Sequence, residues 1–201
     1  MVAIRHRQTG QIILEVDGDN LSRAPLMFRD CAEADLSGQA AEGAVLIGAN
    51  LSHGLLTGCN FEHALLAHAN LADADLSNAL LSWTDLQKAR LQRAVLTAAV
   101  LVDADLRQAD LTDARMDGCW LMGADLRGAS LKNASLRSAR LSQSQLQSAD
   151  LSEADLEDAD LFEAFYDEKT VWPHGLDPDQ RRAQLRPPTT DLDCDGRGSA
   201  G

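Results

Sequence analysis

The chain has 201 residues, 45% of them apolar and 24% charged, with a net charge of −13 and four cysteines. It contains no apolar run of the ~18 residues a membrane helix needs, and its start, Met1-Val2-Ala3-Ile4-Arg5-His6-Arg7, lacks the apolar core of a signal peptide, so neither membrane insertion nor export is expected. Cys31, Cys59, Cys119 and Cys194 do not read as a disulfide framework, which fits a reducing, cytoplasmic setting.

In chain order, residues 2–16 read as a hairpin, with Ile4-Arg5-His6-Arg7 and Gln11-Ile12-Ile13-Leu14-Glu15-Val16 flanking a turn at Thr9-Gly10. Asp17-Gly18-Asp19 then turns the chain into a single repeat register that runs over residues 21–166. Leucine recurs at every fifth residue, as in Leu86, Leu91, Leu96, Leu101, Leu106 and Leu111. A small residue sits two positions before each, as in Ala89, Ala94, Ala99, Ala104 and Ala109. A period of five suits neither regular element. On a helix successive leucines would land ~140° apart and spiral over every face. In a flat strand they would alternate between faces. A chain that turns a corner once per repeat satisfies the pattern, because each leucine then points into a coil. The small residue also points inward, where a larger one would strike the coil above. Such units bury their apolar face only by stacking.

The units Ala104-Asp105-Leu106-Arg107-Gln108, Ala109-Asp110-Leu111-Thr112-Asp113 and Ala154-Asp155-Leu156-Glu157-Asp158 resemble the A(D/N)LXX motif of pentapeptide-repeat proteins. The resemblance implies an all-β fold: a right-handed, four-sided parallel β-helix with about twenty residues per coil and hence about seven coils. The organisation expected is a hairpin cap over residues 1–20, a β-helix over 21–166, a closing segment over 167–185 and a disordered tail over 186–201. Of the 28 centre positions between Leu26 and Leu161, 24 are leucine, and no insertion breaks the register. At a spacing of twenty, outward positions keep their character. Asp85, Asp105 and Asp125 share one column, Arg107 and Arg127 another, and Leu80, Val100 and Trp120 a third. The first coil is less regular. Pro25 falls on what reads as an outward corner, and Arg29 and Gln39 occupy slots that should be small and inward, so these coils are expected to be loosened or displaced in register.

Charge is uneven along the column. Residues 30–85 hold eight acids and no Lys or Arg; residues 86–140 hold nine bases against six acids; residues 150–168 hold nine acids and no base. After the last repeat, Phe165, Tyr166, Val171, Trp172 and Leu176 read as a lid over the final coil. The tail motif Asp191-Leu192-Asp193-Cys194-Asp195-Gly196 matches the opening of a calcium loop, but position twelve would be residue 202, so no metal is assigned. His53, His63 and His68 fall on different corners and cannot close a tetrahedral site. No catalytic grouping, phosphate loop or cofactor motif is found, and neither an enzyme nor a cofactor is expected.

Two outward features remain. The acidic column Asp85, Asp105 and Asp125 reads as a solvated face partly offset by Arg107 and Arg127. Leu80, Val100 and Trp120, with Trp83, Val102 and Met122 beside them, read as a partner-binding patch, because clustered exposed apolar residues with tryptophan mark contact surfaces. The function expected is a non-catalytic scaffold offering rigid flat faces to an unknown protein partner or to itself as a homodimer, with no direct nucleic-acid contact. The alternative, implied by one branch of the family, is a DNA mimic that binds gyrase and protects it from quinolones. The basic stretch from Lys88 to Arg140 and the scarcity of phenylalanine centres stand against it.

Overall fold

Residues 1–186 are described in the computed structural model, and the expectations placed on 191–196, on Cys194 and on the tail from residue 187 onward lie outside them. The chain opens with β1 (Val2–His6) and β2 (Ile12–Val16), an antiparallel hairpin pairing Val2 with Val16 and Ile4 with Leu14. The turn closes through Gly10, whose N–H donates to the His6 carbonyl at 2.9 Å with φ of 69°. β1 also pairs antiparallel with β3 (Ala34–Asp35) in the first coil. This pairing puts Ile4, 1% exposed, against the first leucines of the column.

From Pro25 to Phe165 the chain forms a ladder of single-residue parallel bridges, each joining residues twenty apart. Four columns result. One begins Pro25, Val45, Leu65, Asp85; the next Asp30, Asn50, Asn70, Arg90; the third Asp35, Leu55, Asp75, Val95; the fourth Ala40, Asn60, Leu80, Val100. The chain is a β-helix without a single α-helix among the described residues.

The backbone accounting explains the repeat. Within each five residues the leucine N–H donates one coil onward, as Leu106 does to the Asp125 carbonyl at 2.8 Å. The residue before it donates one coil back, as Asp105 does to Thr84 at 3.0 Å. At the corner, Ala109 N–H closes a turn on Leu106 at 3.0 Å, and Gln108 N–H reaches the Arg127 carbonyl at 3.0 Å. That leaves the residue just after the leucine, and its N–H is taken by the aspartate or asparagine just before the leucine. Arg107 N–H donates to Asp105 Oδ1 at 3.1 Å, Thr112 N–H to Asp110 at 3.1 Å and Arg127 N–H to Asp125 at 3.1 Å. The motif's Asp/Asn is thus a local cap on the one amide that the ladder cannot satisfy.

The second corner residue of each repeat has positive φ whatever its type: Trp83 56°, Lys88 55°, Ala98 56°, Gln108 57°. A type II turn requires this at its third residue. Such a backbone disfavours most L-residues by roughly 1 kcal/mol or more, and here the rung hydrogen bonds to these same amides hold it.

The interior is one cluster of stacked leucines and alanines, nearly all under 2% exposed. Where a polar residue replaces the inward alanine, it donates to the carbonyl 23 residues back: Thr84 Oγ1 to Phe61 at 2.9 Å, Cys119 Sγ to Leu96 at 2.9 Å, Cys59 Sγ to Leu36. Ser144, fully buried in the same slot, makes no such bond. A buried hydroxyl without a partner costs about 1–3 kcal/mol, so Ser144→Ala is expected to raise the melting temperature by a few degrees. An unchanged or lower melting temperature would mean that the hydroxyl does find an acceptor.

Three expectations are corrected. The early coils are not displaced in register, since the Pro25–Val45 and Asp30–Asn50 bridges keep the spacing of twenty. Arg29 is instead exposed, at a groove that it lines with Leu14–Asp17 of the hairpin and with Pro25 and Leu26. Pro25 lies on a flat side, not a corner. Its missing N–H does no harm there, because an amide at that position donates one coil back and no coil precedes it. Finally, the lid residues divide. Tyr166, Trp172 and Leu176 pack on the core, with Tyr166 edge-on to Trp172 at 5.6 Å, while Phe165 and Val171 continue the outward columns by bridging Gln145 and Asp150. The step from Asp150 to Val171 is 21 residues, one more than every earlier bridge, and β4 (Phe165–Tyr166) pairs parallel with β5 (Gln184–Leu185) to finish the described chain.

Candidate functional site

The outward columns place the sequence-selected residues directly. Leu80, Val100 and Trp120 are consecutive rungs of one side. Leu80 is 38% and Trp120 41% exposed, with Val100 half-buried between them. Val102 and Met122 lie two residues further along the same rungs and are half-buried. Trp83, 53% exposed, stands on the adjoining corner, where its ring stacks on His63 at 5.1 Å and an interplanar angle of 7°. Arg140, the next rung, lays its guanidinium over the Trp120 ring at 4.5 Å. The six residues therefore share one side and its corner.

The acidic column is also one ladder, joining Asp85 to Asp105 and Asp105 to Asp125. Arg107 makes a two-pronged pair with Asp105, Nη2 to Oδ2 at 2.6 Å, and reaches Asp125 at 3.7 Å. Arg127 does the same to Asp125 at 2.6 Å. Burial pushes the Asp105 carboxyl up, but the hydrogen bonds from the Arg107 side chain and amide outweigh it, holding the group below the ordinary carboxylate range. The column is a neutralised ladder over its upper two rungs, with Asp85 bonded to the Gln87 amide at 3.0 Å.

Other ion pairs also tie rungs together. Arg93 holds Asp73 through both carboxylate oxygens, the nearer at 2.6 Å, and this bond lowers the Asp73 pKa. Arg137 spans Asp155 and Glu157; the Asp155 carboxyl is lowered first by the Glu157 amide and then by Arg137. Asp167, which burial alone would raise, is lowered by the Ser148 amide and hydroxyl and by Thr170. A carboxyl depressed in the folded chain stabilises above its unfolded pKa, and that contribution is lost as pH falls through the folded value. Thermal stability is therefore expected to be level from neutral pH down to about 5 and to fall steadily below ~4. A melting temperature unchanged at pH 3 would show that these pairs contribute nothing.

His53 lies 3.9 Å from Asp73, and its carbonyl accepts from Arg7 at 2.5 Å; His63 is engaged by Trp83. Among the described residues no group of three or more His, Cys, Asp or Glu is placed to hold a metal ion. Burial pushes the Cys59 thiol up to about 11 and Cys119 to about 12, so both stay protonated inside the column. A groove of about 380 Å³ opens between Ala154–Glu157 and the closing segment from Pro173 to Asp177, with Gln180 and Arg181 beside it.

A second apolar surface escaped the sequence reading. Pro25, Val45 and Leu65 are consecutive rungs of the first side, flanked by Met27, Ile47 and the corner residue Phe28, which is 73% exposed. The Phe28 ring lies where a Cβ on Gly48 would be, 2.5 Å from that position, so the glycine is what admits it. The spacing of twenty applied to residues 25–65 contains this signal.

A hydrogen-bonded column with a closed apolar interior and individually varied outer columns defines a repeat scaffold of the β-solenoid class. A profile for pentapeptide repeats matches residues 55–93, 89–128 and 124–161, just over half of the chain, and the chain belongs to the pentapeptide-repeat family. It is similar to alr5209, a pentapeptide repeat protein from Nostoc PCC 7120, with 36% identity over 51% of this chain and 84% of that one and a TM-score of 0.50. HetL, a pentapeptide repeat protein involved in heterocyst differentiation regulation from the cyanobacterium Nostoc sp. strain PCC 7120, is 31% identical over 76% of this chain and 83% of its own, with a TM-score of 0.47. QnrB1, a plasmid-mediated fluoroquinolone resistance protein, is 18% identical over 76% and 77%, with a TM-score of 0.49. No curated protein matches the chain, and no helix among the described residues is long and apolar enough to cross a membrane.

Proposed function

We propose that this protein is a non-catalytic scaffold: a right-handed, four-sided column of about seven coils that presents flat, rigid faces for protein association in the cytoplasm. Residues 1–20 would cap its first coil and 167–185 its last, with the column proper over 21–166. The bridges at a spacing of twenty support the four sides. The observation that carries the functional reading is the exposed, stacked set Leu80, Val100 and Trp120 with Trp83, Val102 and Met122. A patch on a backbone already fixed by its rungs loses little freedom on binding.

A DNA-mimic role is not favoured. Its acidic surface would need to run unbroken along the column, yet Arg107 and Arg127 neutralise Asp105 and Asp125, and Arg90, Arg115 and Arg140 occupy the other three bridge columns. The scaffold reading is tested by Trp120→Asp. The variant is expected to keep its melting temperature within about two degrees, since Trp120 is outside the core, and to lose association with its partner in a pull-down from the native host. A variant that melts earlier but binds as before would make the tryptophan merely structural.

A further inference from the structure

We propose that the side bearing Leu80, Val100 and Trp120 packs against the same side of a second copy of this chain, the two columns running antiparallel about a two-fold axis through Val100. The inference rests on the reading of that side as a contact surface and names what covers it. It is carried by the order of residues along the side. The apolar rungs 80, 100 and 120 are bounded one rung before by Asn60 and Glu62 and one rung after by Arg140. An isologous contact requires a surface complementary to itself.

A two-fold axis lying in the interface and across the columns reverses the rung order but preserves direction along each rung. Leu80 then meets Trp120 of the second copy, and Val100 and Val102 meet their own counterparts. On the corner column, Trp83 meets Gly123 of the second copy, where the Asp103 carboxylate lies over the glycine. At each end of the apolar stretch, Glu62 comes within side-chain reach of Arg140 of the second copy. A parallel arrangement would instead set Glu62 against Glu62 and Arg140 against Arg140, so charge selects the antiparallel one. One rung further out, Glu42 would face Asp160, like against like, which closes the contact at five rungs. Asp103, exposed and leaning over Gly123, falls on the axis opposite its own counterpart at the solvent rim. Five rungs spaced ~4.8 Å apart cover only about 20 Å of column. The area is below the roughly 800 Å² per partner of stable complexes, so the association belongs to the weak, micromolar class.

Sedimentation velocity on the full chain from about 5 to 500 µM is expected to show a monomer–dimer equilibrium. Trp120→Asp abolishes it. Glu62→Arg and Arg140→Glu each weaken it about tenfold, and the two together restore it, because the pair re-forms with reversed sign. Asp103→Asn tightens it severalfold by removing the like-charge contact. Circular dichroism and melting temperature establish that each variant is folded, and the charge variants remain informative should Trp120→Asp not fold. In a Cys194→Ser background, Val100→Cys is expected to crosslink to itself through a short bis-maleimide, the buried thiols of Cys31, Cys59 and Cys119 being out of reach. A chain that stays monomeric at the highest concentration overturns the proposal while leaving the side open to a different protein. A dimer indifferent to Trp120→Asp overturns the proposal, since the copies then meet elsewhere; the reading it rests on fails separately, if Trp120→Asp leaves the pull-down unchanged. A dimer sensitive to Trp120→Asp but not restored by the double charge reversal overturns the antiparallel register.

Discussion

Leu106→Asp is expected to abolish cooperative folding, whereas Asp105→Ala, one residue away, is expected to lower stability by under about 1 kcal/mol. Leu106 is fully buried, and both its N–H and its carbonyl are already committed, to Asp125 and Ala109. A carboxylate in that slot has no partner and no water. It forfeits the leucine burial, about 2–5 kcal/mol with its cavity, and adds several more for an uncompensated buried charge. The sum approaches the 5–15 kcal/mol that holds a typical domain together. Asp105, by contrast, is solvated on its outer side and contributes an Arg107 ion pair of the half-exposed kind together with a cap on one amide. Calorimetry on the two variants checks this, and equal melting temperatures would contradict the inward–outward assignment of the whole column.

The interior was legible because it tolerates so little. A leucine slot and an alanine slot recur wherever the chain must turn within a fixed cross-section, so the period alone separates inside from outside. The columns followed once residues were compared twenty apart, and Leu80, Val100 and Trp120 stand on consecutive rungs for that reason. Other features were not legible, each for a physical reason. Positive φ at Trp83, Lys88 and Ala98 runs against their own preference and is imposed by a rung bond to the same amide, as from Trp83 N–H to Val102 at 3.0 Å. Arg29 breaks the size rule without breaking the register, because a groove between the first coil and the hairpin leaves room for a long side chain. The capping role of the motif aspartate became visible only when every amide of a repeat was traced to its acceptor. The Phe28 surface was less legible because its column changes from Pro25, Val45 and Leu65 to the charged Asp85, and because Phe28 lies flat only where Gly48 leaves room for its ring.

The small inward slot should be as intolerant of added volume as the leucine slot is of charge. Ala99 is fully buried. It stands between Ala79 and Cys119 in its column, all three at 0% exposure. Neighbouring coils are separated by roughly 4.8 Å, the spacing of paired strands, and the hydrogen bonds from Val100 to Ala79 at 2.9 Å and from Trp120 to Ala99 at 3.0 Å hold the coils at that distance. The three further carbons of a leucine at residue 99 would have to push apart coils clamped on both sides or displace Leu96 and Leu101, which fill the same cross-section. Overpacking of this kind costs about 1–3 kcal/mol in ordinary cores, and the upper end or beyond is expected here because a lateral shift breaks rungs. Ala99→Cys supplies the control. Cys119 already occupies the next slot of that column and uses its thiol to reach the Leu96 carbonyl at 2.9 Å, and Cys59, two coils before residue 99 on the same side, does the same to the Leu36 carbonyl. The cysteine variant is therefore expected to melt within a degree or two of the parent, and the leucine variant some ten degrees or more below it. If Ala99→Leu melts with the parent, the column has slack between its coils that the short, repeated rung distances do not suggest.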